Sequence, residues 1–380
     1  AALEQMVLLK NNGILPLDVT KLNSIGVIGP NANSRASLIG NYHGTSSRYV
    51  TVLEGIQKVC DKNDIRVHYS DGSHLFKERV ENLAFDDDRI SEAVIVAKNS
   101  DVVVLVVGLD ETLEGEEGDT GNSYASGDKE TLNLPASQMR MIETLEAVGK
   151  PIILINMTGS AMDLAFAKNN DTYGAILQAW YPGCMGGKAI ADILFGKISP
   201  SGKLPVTFYN SLDELPDFED YSMKGRTYKY MENPAQYPFG FGLTYANVEM
   251  TGASLENEEN AKSLIKSDNV YDGSISVRAN IKNTSGIKTD EVVQVYIKNH
   301  NSEYAVRNHS LCGFKRVGLD AFEEKEVTIN IPSRAFMVVN EEGKYIQDGD
   351  KFTLYVGVSQ PDEVSVSLCK VNPLKIEINL

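Results

Sequence analysis

The chain's 380 residues exceed the usual size of one domain, so two domains are expected. A hydrophobic share of 42% and a charged share of 23% suit a globular protein, and the most apolar run, residues 102–107, is far too short to span a membrane. A formal charge of −16 argues against an electrostatic nucleic-acid binder, which needs clustered Lys and Arg, and leaves a neutral ligand such as a sugar acceptable.

From residue 24 to about 194 strand and helix signals alternate. Ile25-Gly-Val-Ile is a short apolar run closed by Gly29-Pro30, a strand ending in a turn, and residues 66–69 are a second candidate. Residues 88–98 place Ile90, Ala93, Val94 and Ala97 on one helical face. The β-branched run at 102–107 then predicts a strand buried on both faces. A helix over 135–147, strands over 151–156 and 175–180, and a helix over 185–195 continue the series. Strands separated by helices of this length predict an α/β fold, a mostly parallel sheet covered on both sides. The ligand crevice of such a sheet is built by the loops at the carboxyl ends of its strands, here 29–44, 108–135, 156–160 and 181–187.

After Ser199-Pro-Ser-Gly the helical period stops. Residues 212–236, rich in acid, Tyr and Pro, predict a tether that Arg226 and Tyr228 fasten to the α/β domain. Alternation then recurs at 274–281, 291–297, 326–331, 352–358 and 364–368, with turns such as Asn283-Thr-Ser-Gly between, which predicts an immunoglobulin-like sandwich of roughly seven strands. The expected division is an α/β domain over 1–210, a linker over 211–244 and an all-β domain over 245–380.

The loop at 108–135 is unusually long for a βα connection, and it holds six acidic residues in the ten positions from Asp110 to Asp119. Carboxylates this crowded repel when ionised, which raises some of their pKa values, and a raised carboxyl pKa is what a general acid needs. A solvated acidic loop or a hard-cation site is the competing reading. Asn41-Tyr42-His43 lies in the first crevice loop, where Tyr42 and His43 are candidates for stacking on or hydrogen-bonding a sugar ring; a loop packing cluster is the alternative. Asp128 is a further candidate, holding the acidic loop through Lys129.

No cofactor or metal is expected. The glycine pair Gly26 and Gly29 lacks the full dinucleotide fingerprint, no phosphate-binding loop motif occurs, and the five His and four Cys show no metal-ligand spacing. The cysteines read as separate core thiols. No signal-peptide pattern opens the sequence; it starts in mid-pattern at Ala1-Ala-Leu-Glu, which leaves room for an upstream segment and leaves secreted, periplasmic and cytoplasmic settings open.

Nine blocks in order resemble glycoside hydrolase family 3. They include Glu4-Gln-Met-Val-Leu-Leu-Lys-Asn-Asn-Gly, Ile25-Gly-Val-Ile-Gly-Pro-Asn-Ala, Tyr181-Pro-Gly, Pro200-Ser-Gly-Lys-Leu-Pro-Val-Thr-Phe, Arg226-Thr-Tyr-Lys-Tyr and Tyr237-Pro-Phe-Gly-Phe-Gly-Leu-Thr-Tyr. Asp290-Glu-Val-Val-Gln-Val-Tyr and Cys312-Gly-Phe-Lys-Arg-Val resemble the family's fibronectin type III-like domain. The resemblance implies a retaining, exo-acting β-glycosidase, a β-xylosidase or β-glucosidase, acting on oligosaccharides or aryl glycosides. It also implies that an Asp nucleophile lies on a TIM-type barrel, which these 380 residues do not include and which a partner or further domain would supply. The acid/base would lie in the loop matching residues 113–118; alignment favours Glu116, with Glu114 as the alternative. The competing reading is a non-catalytic carbohydrate-binding or assembly module of the same fold. Neither reading involves nucleic acid or a membrane, and a homo-oligomer is left open.

Overall fold

A computed structural model describes residues 1–79, 83–85, 87–116, 129–266 and 273–380. The chain divides into two units, Ala1–Gly202 with Tyr209–Leu212, and Lys203–Phe208 with Asp213–Leu380.

The first unit is a six-stranded sheet of β1 (Val7–Asn11), β2 (Ser24–Ile28), β3 (Arg66–Ser70), β4 (Val102–Gly108), β5 (Ile152–Met157) and β6 (Tyr173–Gln178), in the order β1-β6-β5-β4-β2-β3. Strands β2 to β6 are parallel, and β1 closes the edge antiparallel to β6. Helices α1 (Val52–Cys60), α2 (Ile90–Lys98) and α3 (Ala136–Glu146) lie between the strands in sequence, and α4 (Gly186–Leu194) follows β6. Every residue of β4 is buried, as its β-branched run dictates for a central strand. The sequence signals missed β1 and α1. The first is a single short edge strand with no flanking helix pattern. The second opens at a Thr51 cap, whose side chain accepts from Glu54 N, directly after a loop.

The order of the strands fixes where a ligand can sit. From β2 the chain moves outward to β3, then crosses back to lay β4 on the other side of β2. That reversal is a topological switch point, and the loops leaving β2 and β4 flank the crevice there.

The second unit is all-antiparallel: β7 (Val248–Leu255), β8 (Ser274–Asn283), β9 (Thr289–Asn299), β10 (Ser310–Leu319), β11 (Glu324–Pro332), β12 (Lys351–Gly357) and β13 (Leu374–Asn379). They form a four-stranded sheet, β10-β9-β12-β13, and a three-stranded sheet, β11-β8-β7. Val277, Ile281 and Ile329 of one sheet share a core with Val293, Val295, Leu354 and Val356 of the other, the sandwich of seven strands that alternation predicts. Two helices, α5 (Glu258–Lys266) and α6 (Glu363–Cys369), accompany the strands.

Two expectations need correction. Residues 364–368 alternate like a strand but form α6, because Asp362 caps the segment: its carboxylate accepts from Ser365 N at 3.0 Å and from the Ser365 hydroxyl at 2.5 Å. A local cap outweighs a two-residue period in so short a stretch. Tyr228 is anchored within the β unit. It stacks on Phe239 with centroids 4.5 Å apart, and its hydroxyl accepts from Leu311 N at 3.0 Å, all within the β unit. Arg226 bonds within the same segment, to the carbonyls of Asp217 and Asp220.

Among the described residues no helix is long and apolar enough to cross a membrane, and the four cysteines are free thiols.

Candidate active site

The loop leaving β4 begins under tight control. Gln138 of α3 grips Gly108 from both sides, donating to its carbonyl at 2.7 Å and accepting from its N–H at 3.0 Å. Leu109 and Leu113 are buried, which holds the stretch between them against the sheet. Asp110 closes a turn on itself: its carboxylate accepts from Thr112 N at 2.9 Å and from the Thr112 hydroxyl at 2.6 Å. Asp110 is therefore a turn-former rather than an acid at the crevice.

Glu111 reaches across the switch point to the loop leaving β2. His43 Nε2 lies 2.9 Å from Glu111 Oε2, and His43 Nδ1 lies 3.2 Å from the Gly44 carbonyl. Both ring nitrogens face acceptors, an arrangement that the protonated ring satisfies with two donors, and the bond to Glu111 raises its pKa above the ordinary histidine value. Beside it Tyr42 is 83% exposed and holds a left-handed backbone, φ +56°. A bulky residue in that region is strained, and such strain clusters at ligand sites. The two candidates thus share one rim of the crevice, with His43 tied to the acidic loop and Tyr42 projecting into solvent.

Glu114 is a heavily bonded carboxylate. Its Oε2 accepts from Gly159 N at 2.7 Å and from the Tyr181 hydroxyl at 2.6 Å, while Oε1 accepts from the Ser160 hydroxyl. These donors come from the loops leaving β5 and β6. Ser160 is fixed in turn through its carbonyl, which accepts from the Thr158 hydroxyl at 2.9 Å, and Thr158 belongs to a buried network with Asn156 and Gln178. The Tyr181 ring lies flat against two glycines. A Cβ on Gly40, φ +60°, would stand 2.3 Å from ring atom Cδ2, and one on Gly159 would stand 2.9 Å from Cε2. One tyrosine thereby locks together the loops leaving β2, β4, β5 and β6. Burial, and then the Glu114 charge, push the Tyr181 hydroxyl pKa upward, so it remains a donor. Removing that donor in Tyr181→Phe is expected to cost about 1.5–3 kcal/mol, the usual worth of a hydrogen bond to a charged group, read by urea denaturation. A change within a few tenths of a kcal/mol would show that the clamp carries no load.

Lys129, where the described chain resumes, is half-buried. Its ammonium donates to the Ala161 carbonyl at 2.5 Å and lies 3.0 Å from Met162 Sδ. Burial lowers its pKa to about 8, against the opposing pull of Glu114. Asp128, Glu117 and Asp119 lie outside the described residues. Glu116, two residues past the clamped Glu114, is exposed.

The four described acidic residues in the stretch from Asp110 to Asp119 therefore sort by role. One closes a turn, one pairs with His43, one is clamped, and Glu116 stands exposed just beyond the clamp. Sequence reasoning named the loop, Glu116, Glu114, Tyr42 and His43 as candidates. It did not single out Glu111 from the other loop acids, nor foresee the clamp made by Ser160 and Tyr181; Tyr181 was marked only by its Tyr-Pro-Gly block and its position at the carboxyl end of a strand. Among the described residues no group of three or more His, Cys, Asp or Glu is placed to hold a metal ion.

A doubly wound sheet with acidic side chains at its switch point, followed by an antiparallel sandwich, defines a two-unit protein of α/β plus fibronectin-like class. The chain belongs to glycosyl hydrolase family 3. Residues 6–245 match the glycosyl hydrolase family 3 C-terminal domain, and residues 291–360 match a fibronectin type III-like domain. It is 30% identical over 368 residues to a beta-xylosidase of Formosa agariphila, covering 94% of this chain and 47% of the relative. It is likewise 30% identical over 384 residues to a periplasmic beta-glucosidase of Salmonella typhimurium, with coverage of 94% and 47%. Among solved structures, a family 3 exo-beta-xylosidase in complex with a xylobiose aziridine activity-based probe superposes with a TM-score of 0.81 at 25% identity, covering all of this chain and 48% of that one. The chain thus spans about half the length of the relatives it matches.

Proposed function

We propose that this chain is the acid/base-bearing part of a retaining, exo-acting β-glycosidase that hydrolyses β-xylosides or β-glucosides, as in the breakdown of plant polysaccharides. Its nucleophile, an Asp, comes from a β/α barrel outside these residues. The observation that carries the reading is the sorting of the acidic loop. Glu114 has both oxygens engaged as acceptors within the protein, and Glu116 lies two residues beyond it, exposed.

In this mechanism the barrel Asp attacks the anomeric carbon while Glu116 gives its proton to the departing glycosidic oxygen. The C–O bond to the leaving group breaks as the ester to Asp forms. Glu116, now a carboxylate, takes a proton from water; that water attacks the anomeric carbon, releasing the sugar and the Asp. Such a pair stands about 5–5.5 Å apart across the sugar. Tyr42 and His43 form the wall of the crevice nearest the sugar, and Asp128 is retained as a candidate at the far end of the acidic loop.

The chain fused to the barrel of a family 3 β-xylosidase is expected to hydrolyse aryl β-xylosides or β-glucosides, and the chain alone is expected to hydrolyse neither. Turnover by the chain alone would defeat this division of labour. A folded but inert fusion would favour the non-catalytic binding module instead.

A further inference from the structure

The segment between Asp217 and Arg226 in the β unit is ordered by its own backbone. The Arg226 guanidinium donates to the carbonyls of Asp217 at 2.8 Å and Asp220 at 2.9 Å. Asp220 N donates to Asp217 O at 3.0 Å, and the Asp217 and Asp220 side chains accept from Glu219 N and Ser222 N. At its exit the loop is bolted down by Tyr228, stacked on Phe239. Such a loop ought to turn its apolar side chains inward. Instead Phe218 is 88% exposed and Tyr221 90%, with Met223 46% exposed beside them. Two aromatics held outward on a closed loop form a preformed knob, the kind of rigid aromatic anchor on which protein interfaces concentrate their energy.

We infer that the Phe218–Tyr221 knob is the docking point for the part of the family 3 enzyme that this chain does not span. The inference rests on the reading above that a second polypeptide segment completes the enzyme. Two observations select that occupant. Relatives that align with nearly the whole chain are about twice its length, so a second half of comparable size exists in them to cover an exposed surface. Asp217, Glu219 and Asp220 flank the aromatics in sequence, and Lys224 and Arg226 belong to the same loop, so the knob is an apolar tip in a rim of mixed charge, which suits a protein surface better than a neutral sugar.

The test uses the full chain and the remaining half of a family 3 β-xylosidase expressed separately, with association measured by calorimetry. Phe218→Ser/Tyr221→Ser should weaken binding by about tenfold or more, the scale of losing aromatic anchors. Thermal unfolding of the chain should not change, because both side chains are already in water. Glycosidase activity of a fusion of the two halves, where association is enforced, should be kept in the variant. An unchanged dissociation constant overturns the inference, and so does failure of the wild-type halves to associate. The same holds if the substitutions abolish self-association of the chain or retention on xylan while leaving association of the halves intact. The fused protein separates the two claims: an active fusion with indifferent docking sinks only the knob, whereas tight knob-dependent docking with an inert fusion sinks only the catalytic reading.

Discussion

Replacing Glu116 by alanine in the completed enzyme is expected to slow hydrolysis of alkyl β-glycosides by about 10²–10⁴-fold, the usual contribution of a positioned acid/base. Activated aryl glycosides should lose far less in the first step, because a nitrophenolate departs without a proton. For those substrates the second step becomes limiting, since water then lacks its base, and a glycosyl-enzyme should accumulate as a burst. Azide needs no deprotonation, so it should restore turnover and leave a β-glycosyl azide as product. Glu114→Ala should behave differently. It removes the acceptor for Gly159, Ser160 and Tyr181, so it should lower stability and activity on all substrates alike, with no azide rescue. If Glu114→Ala gives the leaving-group dependence and the azide product, the two residues have exchanged roles.

The contrast between the two glutamates also marks how far the sequence could be read. Period and burial are local properties, so β4 and α3 were legible from the apolar run at 102–107 and the helical face at 135–147. The crevice loops followed from a general rule about parallel sheets. Nothing local distinguishes Glu114 from Glu116, however. The difference is set by donors 45, 46 and 67 residues away, brought close only when β5 and β6 align beside β4. Glu111 escaped notice for the same reason, since its partner His43 lies 68 residues earlier. The error at 364–368 has the opposite origin. There a purely local signal, the Asp362 cap, was present in the sequence but was outvoted by alternation. Tyr228 shows a third limit, because an aromatic residue in a Pro-rich and acidic stretch advertises burial without saying against which unit.

The second large effect is expected in the β unit, where Lys203 and Glu291 make a buried ion pair. Lys203 Nζ lies 2.7 Å from Glu291 Oε1, and the side chains are 9% and 3% exposed. The ammonium also donates to the Gly242 carbonyl at 2.7 Å, and Val292 N donates to the same carboxylate oxygen at 2.7 Å. The pair thus ties the short segment Lys203–Phe208 to the start of β9, far along the chain. Glu291→Ala leaves the ammonium in a largely buried site with its carboxylate partner gone and the Gly242 carbonyl still accepting from it, and breaking one side of such a pair costs about 3–5 kcal/mol. The variant should therefore melt well below the wild type. Lys203→Ala should be similarly damaging, because it strands the carboxylate. The double replacement Lys203→Met/Glu291→Leu removes both charges and keeps the volume filled, so it should recover most of the loss, and the coupling energy from the cycle should be large and favourable. If the double variant is as unstable as either single one, desolvated charge is not what the single variants suffer from, and the pair's contribution lies in packing of the lysine stem instead.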